Sequence, residues 1–223
     1  MKISPTKRYA VLTGDIVASS KLPKEKRKAL PAAIKRAARA TQKAFPEAAP
    51  LEIEVFRGDG WQWLLCDAVH CLRIGLHFRA CLRSGPQRGR GLDTRTAIAV
   101  GGVDFVPTTK VSEGDGEAYR LSGRALETLP AGRYLTLVLD QPPEARVLNA
   151  ITALLDAVVQ GWTGKQAQAV AGALRGWTQD KIASAWPETI SQQAIAKHLA
   201  SAHWSSVEAA LIYCETFLTE AAQ

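Results

Sequence analysis

Two short strings hold the residues best suited to chemistry: Leu12-Thr13-Gly14-Asp15-Ile16-Val17-Ala18-Ser19-Ser20 and Val55-Phe56-Arg57-Gly58-Asp59-Gly60-Trp61. Each sets an aspartate at the mouth of a turn beside an apolar, strand-like run. If the two strands are neighbours, the carboxylates converge on one sheet edge. Oxygen-only donors of that kind suit Mg²⁺ or Mn²⁺, and such an ion suits a nucleoside triphosphate. Taken singly, either aspartate reads more simply as a turn residue whose short side chain bonds its own backbone. The metal reading rests on the pair and on the order of elements around it.

Those elements follow from periodicity and punctuation. Residues 8–15 read as a strand ending in Asp15, and 23–45 as an Ala-, Lys- and Arg-rich helix with a break near Pro31. Residues 51–66 read as a hairpin around Arg57-Gly58-Asp59-Gly60. Asp67 is placed to cap a helix running to 83, and 84–93 is a Gly- and Arg-rich loop. A strand over 94–103, a helix over 116–129 and a strand over 134–139 complete this portion. The order is β-α-β-β-α-β and then α-β. It predicts an α+β fold, a ferredoxin-like or palm-type sheet with helices on one face. Pro142-Pro143 marks a boundary between an α/β domain (1–140) and an all-α domain (141–223). Helices are predicted there over 143–160, 164–175, 178–186, 191–202 and 205–221.

Composition narrows the class. The 223 residues are 47% hydrophobic and 22% charged, enough apolar material for a core. No apolar run is long enough for a signal peptide or a membrane span. Cys66, Cys71, Cys81 and Cys214 show no metal spacing, which reads as reduced thiols in a cytoplasmic protein. The net charge of +7 is uneven. Residues 1–140 carry 23 basic against 14 acidic side chains, whereas 141–223 carry 5 against 7. Nine of the basic residues lie between Lys21 and Lys43. That run reads as a solvated helix face or as a nucleic-acid surface.

Four motifs in order give residues 8–139 a resemblance to the catalytic domain of class III nucleotidyl cyclases. They are Asp15-Ile16-Val17-Ala18-Ser19, Gly58-Asp59, Arg95-Thr96-Ala97-Ile98-Ala99-Val100-Gly101, and the helix string from Gly116 to Arg124. The whole chain also resembles the SatD-like bacterial family, on Thr13-Gly14-Asp15-Ile16, Gly58-Asp59, Asp115 to Tyr119, Leu121 to Arg124 and the helical tail. The cyclase resemblance implies two Mg²⁺ or Mn²⁺ ions held by Asp15, Asp59 and the Ile16 carbonyl. It implies phosphates cradled by Val17, Ala18, Ser19 and Ser20, and base-reading positions at Val55, Glu113 and Asp115. Arg124 takes the place of the arginine that steadies the transition state, and Arg120 that of a ribose-positioning asparagine. The reaction so implied is attack of the ribose 3′-oxygen on the α-phosphorus with release of pyrophosphate, in a site shared by two subunits of a homodimer. Val55 and Arg120 depart from purine cyclases, so the base recognised stays open.

The tail carries a different signal. Within 164–202, Thr178 opens one short helix and Ser191-Gln192-Gln193 a second, resembling a helix-turn-helix. Ser191, Gln192, Gln193, Lys197 and His198 would then face DNA. Against this, DNA affinity rests on phosphate neutralisation and the tail is net negative. The combined expectation is a DNA-binding regulator whose cyclase-like domain senses a nucleotide with a divalent metal. The alternatives are an active metal-dependent cyclase acting on a nucleoside triphosphate, with a regulatory helical tail, and a non-enzymatic scaffold; the partner expected is a nucleoside triphosphate or a cyclic nucleotide.

Overall fold

The computed structural model describes residues 3–4, 6–85, 91–106, 110–140 and 145–221. Five strands form one sheet in the order β2-β3-β1-β4-β5. They are β1 (Tyr9–Ile16), β2 (Glu54–Phe56), β3 (Gly60–Leu65), β4 (Thr94–Gly101) and β5 (Leu135–Leu139). Every pairing is antiparallel except β4 with β5. The central strands are buried on both sides, so their sequences read as continuous apolar runs rather than alternation.

Two helices cross one face. The basic segment gives α1 (Lys24–Lys28) and α2 (Leu30–Ala44). The break falls at Ala29, and Pro31 sits inside the first turn of α2, where its missing N–H costs nothing. α2 buries Leu30, Ile34, Ala37, Ala38 and Thr41, a one-sided helical stripe. α3 (Cys71–Arg83) is buried almost all round, since it lies between α2, the sheet and the tail. Gly75 lets it approach the sheet: a Cβ there would meet Ile98 Cδ1 at 3.0 Å. Asp67 does not cap this helix directly. Its carboxylate accepts from the His70 N–H and Nδ1, ordering the turn from which α3 starts at Cys71.

The expectation of helices on one face fails at α4 (Glu117–Glu127). Ala10, Leu12, Trp61, Trp63, Ile98 and Leu137 point into the core shared with α2 and α3. Tyr9, Val11 and Leu64 point the other way, against Ala118 and Tyr119 of α4. α4 is the crossover joining parallel β4 and β5, and it returns over the free face. Strands apolar on both sides hide which side a helix takes.

The tail consists of α5 (Ala145–Gln160), α6 (Gly164–Ala173), α7 (Gln179–Ser184), α8 (Gln192–Ser201) and α9 (Trp204–Glu220). The expected Pro142-Pro143 boundary lies outside the described residues. α5 packs on β5 and α9, and α6 packs on α3. The main apolar cluster therefore runs without interruption from Leu12 through Phe78 to Trp162 and Leu211. A buried ion network accompanies it. Arg79 donates to Asp93 and to Asp156 of α5, both at 2.7 Å, and Arg83 donates to Asp93 and to the Trp162 carbonyl. Burial works to lower the Arg79 pKa, but its two aspartates outweigh that and raise it. No helix among the described residues is long and apolar enough to cross a membrane.

Candidate functional site

β1 ends at one corner of the sheet. Its ladder with β3 stops at Gly14 opposite Trp61, and the same register continued sets Ile16 across from Asp59. The β2–β3 turn that carries Asp59 has two successive left-handed residues, Arg57 (φ 52°) and Gly58 (φ 88°), as a tight hairpin requires. On the other side of β1, the Val17 N–H donates to the Asp93 carbonyl at 2.9 Å. Backbone groups alternate along a strand, so those of Ile16 turn toward the hairpin. The Ile16 carbonyl thus points to the Asp59 side, past the last ladder pair.

Ala18 then adopts left-handed backbone (φ 54°, ψ 30°), a conformation costly for a residue with a Cβ. The kink swings the chain into a single 3₁₀ turn, Ser19–Lys21. Ser19 Oγ donates to the Asp59 carboxylate, tying the two strings together. Ile16, Ala18 and Ser19 are thus brought to the turn that carries Asp59, just beyond Asp15 in the chain. The Val17 N–H, spent on Asp93, is not available to a phosphate, and Ser20 follows inside the 3₁₀ turn.

The sequence reading missed the partner of Asp15. β1 and β4 pair Asp15 with Arg95, and the guanidinium donates to both carboxylate oxygens, Nε at 2.9 Å and Nη2 at 2.5 Å. This bidentate bond holds Arg95 above its ordinary pKa, with burial opposing. Only the strand register reveals the pair. By alternation Asp15 shares the α4 face of the sheet with Thr13, whose Oγ1 lies 2.8 Å from Ser122 Oγ and accepts from Gln62. α4 starts beside Gly102, where the Ala118 N–H donates to the Gly102 carbonyl. It runs antiparallel to β4 and carries its C-terminal half toward the corner that holds Asp15.

The donors at this corner are carboxylate, hydroxyl and main-chain carbonyl oxygens, a set that fits Mg²⁺ or Mn²⁺. Among the described residues, no group of three or more His, Cys, Asp or Glu could hold a metal. A cation here would be shared with a ligand's phosphates, the ordinary condition of Mg²⁺ bound by one or two carboxylates.

Known structures include proteins similar to this chain. The guanylyl cyclase Cya2 is 19% identical, over 59% of this chain and 74% of its own, with a TM-score of 0.42. Adenylate cyclases from Trypanosoma brucei, solved in their monomeric state, are 12% identical over 60% and 74%, with a TM-score of 0.43. No family model matches the chain, and no curated protein does.

The remaining candidates sit elsewhere. Val55 packs against the main core, on the opposite side of β2 from Glu54, so the structure does not bring it to the carboxylates. Glu54 instead accepts from the Ser112 N–H at 2.9 Å. Glu113 pairs with Lys110 at 2.6 Å in an exposed 3₁₀ turn. Asp115 accepts from Arg120 at 2.8 Å and from the Gly116 N–H at 2.7 Å. Arg120 also lies 3.6 Å from Glu117, as does Arg124, whose side chain is 67% exposed. Within one chain Arg124 is turned to Glu117 of its own helix, and Arg120 to Asp115, Glu117 and Asp104.

In the tail, α6, α7 and α8 pack on one another, with Ile182 seated on Gly172. Ser191 is used as the cap of α8, accepting from the Ala194 N–H, and Gln192 donates to Gln179. His198 stacks on Trp186 at 6.0 Å, and burial followed by Lys165 and Lys197 lowers its pKa. Gln193 and Lys197 are exposed, one turn apart on α8.

Proposed function

We propose that the chain binds a nucleoside triphosphate with Mg²⁺ or Mn²⁺ at the Asp15–Asp59 corner, and that the bound state acts as a signal to a DNA-contacting tail. The observation that supports the first part is the Ser19–Asp59 hydrogen bond, which ties the turn after β1 to the hairpin, with Ile16 across from Asp59 in the continued register. The cation, when bound, would neutralise phosphate charge. Asp15 and Asp59 would hold it, and Ser19 would orient Asp59. Arg95, released from Asp15, would offer its guanidinium to the phosphates. A second copy of the chain is the partner that would bring Arg124 to the same ligand, as the cyclase resemblance implies.

Mn²⁺ uptake followed by electron paramagnetic resonance, with and without each ribonucleoside triphosphate, tests this. The expected result is nucleotide-dependent uptake that falls at least tenfold in Asp59→Asn. Uptake indifferent to nucleotide in the wild-type chain would overturn it. Pyrophosphate release in the same samples, lost in Asp59→Asn, would convert the sensor into an enzyme of the cyclase type.

The DNA reading has its own support. The net charge of the tail misrepresents its surface, because Asp156 is spent on Arg79 and Glu215 on Arg73. Residues 164–203 alone carry four basic and two acidic side chains. Gln193 and Lys197 on α8 are the groups that would read base edges. Loss of sequence preference in Gln193→Ala with Lys197→Ala, scored against a random duplex pool, is the expected outcome.

A further inference from the structure

We infer that the exposed face of α1 and α2 is a phosphate-tracking surface for duplex DNA, contiguous within one chain with the α6–α8 unit. This rests on the reading that the chain contacts DNA, and the experiment below separates the two.

The face is unusual in sign. Lys24, Lys26, Arg27, Lys28, Lys35, Arg36, Arg39 and Lys43 are all exposed, with Glu25 the single acid among them. Only Lys28 has an ion pair among the described residues, at 3.2 Å to Glu25. Ordinary surfaces intersperse both signs, because a one-sign field repels itself. On α2 the cations recur at 35, 39 and 43, about 6 Å apart along the axis. The core-facing stripe of the same helix holds only apolar residues and Thr41, so the basic residues support no packing. Lys26 and Arg36 line a groove of about 530 Å³ together with Ala33 and Ala37 of α2 and Leu82 of α3.

The chemistry of the face selects the partner. Bilayer binding by a basic helix needs large apolar side chains on its exposed side. The exposed large hydrophobics of the described residues are Phe105, Val147, Leu154, Ile212 and Tyr213, none of them on α1 or α2. Single-stranded nucleic acid needs aromatic platforms for its bases, and neither helix carries an aromatic residue. What the face offers is charge at regular spacing, which is what a duplex backbone takes.

Position joins this face to the tail. Ala40 of α2 lines one cleft together with Gly172, Arg175 and Trp177 of the α6–α7 region. Arg175 stacks over Trp177 at 3.8 Å, and Lys181 lies 5.0 Å from the same ring. Arg175 is thereby held in the cleft that Ala40 of α2 also lines.

The test is fluorescence anisotropy of a labelled 30-base-pair duplex of arbitrary sequence, titrated with the full chain between 50 and 200 mM salt. The quadruple variant Lys35→Gln, Arg36→Gln, Arg39→Gln, Lys43→Gln should bind at least tenfold more weakly at 100 mM. Its log–log salt slope should be shallower by about three to four, near one unit per contact. Glu25→Gln, a conservative change at an exposed site, should tighten binding. Gln193→Ala with Lys197→Ala should keep at least three-quarters of the wild-type slope, so a failure of the α8 reading leaves this one standing. An unchanged slope in the quadruple variant, no binding by the wild-type chain at 50 mM salt, or α2-dependent binding to phosphatidylserine vesicles but not to duplex would each overturn it.

Discussion

Gly14 shows how a single residue constrains the corner. A Cβ at this position would lie 2.3 Å from the Arg95 carbonyl oxygen and 2.4 Å from the Trp61 ring, both fixed by the sheet. Gly14→Ala should lower stability by about 2 kcal/mol or more, read from the urea midpoint, and should weaken Mn²⁺ uptake with it. His77 is a second case. It is buried on α3, its Nδ1 2.9 Å from Thr41 Oγ1, and burial, then Arg175, push its pKa down to about 4. The unfolded chain binds the proton near pH 6.5, the folded chain only near 4. Stability is therefore lost as pH falls from 6.5 toward 4, by up to about 3 kcal/mol. His77→Gln should flatten that part of the pH–stability profile. The turns that carry Asp15 and Asp59 were legible from their glycines, and the Ser19–Asp59 hydrogen bond joins the two strings. Arg95 was not, because its partnership exists only through the β1–β4 register. Val55 was misplaced for the opposite reason: it is the core-facing member of an alternating strand whose neighbour Glu54 faces out.

At the scale of elements, the order of strands and helices could be read from the sequence because each change of period is marked by Gly, Pro or a capping residue. The side taken by α4 could not, since β1 and β4 are apolar toward both faces. Its docking is polar as well as apolar, through Thr13 and Ser122. A double-mutant cycle of Thr13→Val with Ser122→Ala should return a coupling of about 1 kcal/mol. Were α4 on the α2–α3 side, the two changes would add independently. α6 begins with a capping box, Thr163 accepting from the Gln166 N–H while Gln166 accepts from the Thr163 N–H. Thr163→Ala should cost about 1 kcal/mol in thermal or denaturant unfolding.

Across the whole molecule, the corner and the tail meet in one residue. The Asp93 carbonyl takes the Val17 N–H, and its carboxylate takes Arg79 and Arg83. Arg79 is in turn shared with Asp156. Asp156→Ala leaves a buried guanidinium with half its compensation and should destabilise the fold by about 3 kcal/mol. It should also loosen nucleotide-dependent Mn²⁺ uptake, whereas an exposed change such as Glu220→Gln should leave both untouched. The route runs through named bonds, so Asp156→Asn, which keeps the shape but not the charge, should fall between them.

That shared guanidinium has a consequence for how the protein is made. Arg79 leaves the ribosome well before Asp156, the helix residue that completes its neutralisation. A nascent chain halted after β5 holds the sheet strands and Asp93, but not Asp156, the second counter-ion of its central helix. Folding should therefore be completed only when α5 arrives, and a protease supplied to chains stalled at that length should cut them faster than the full chain.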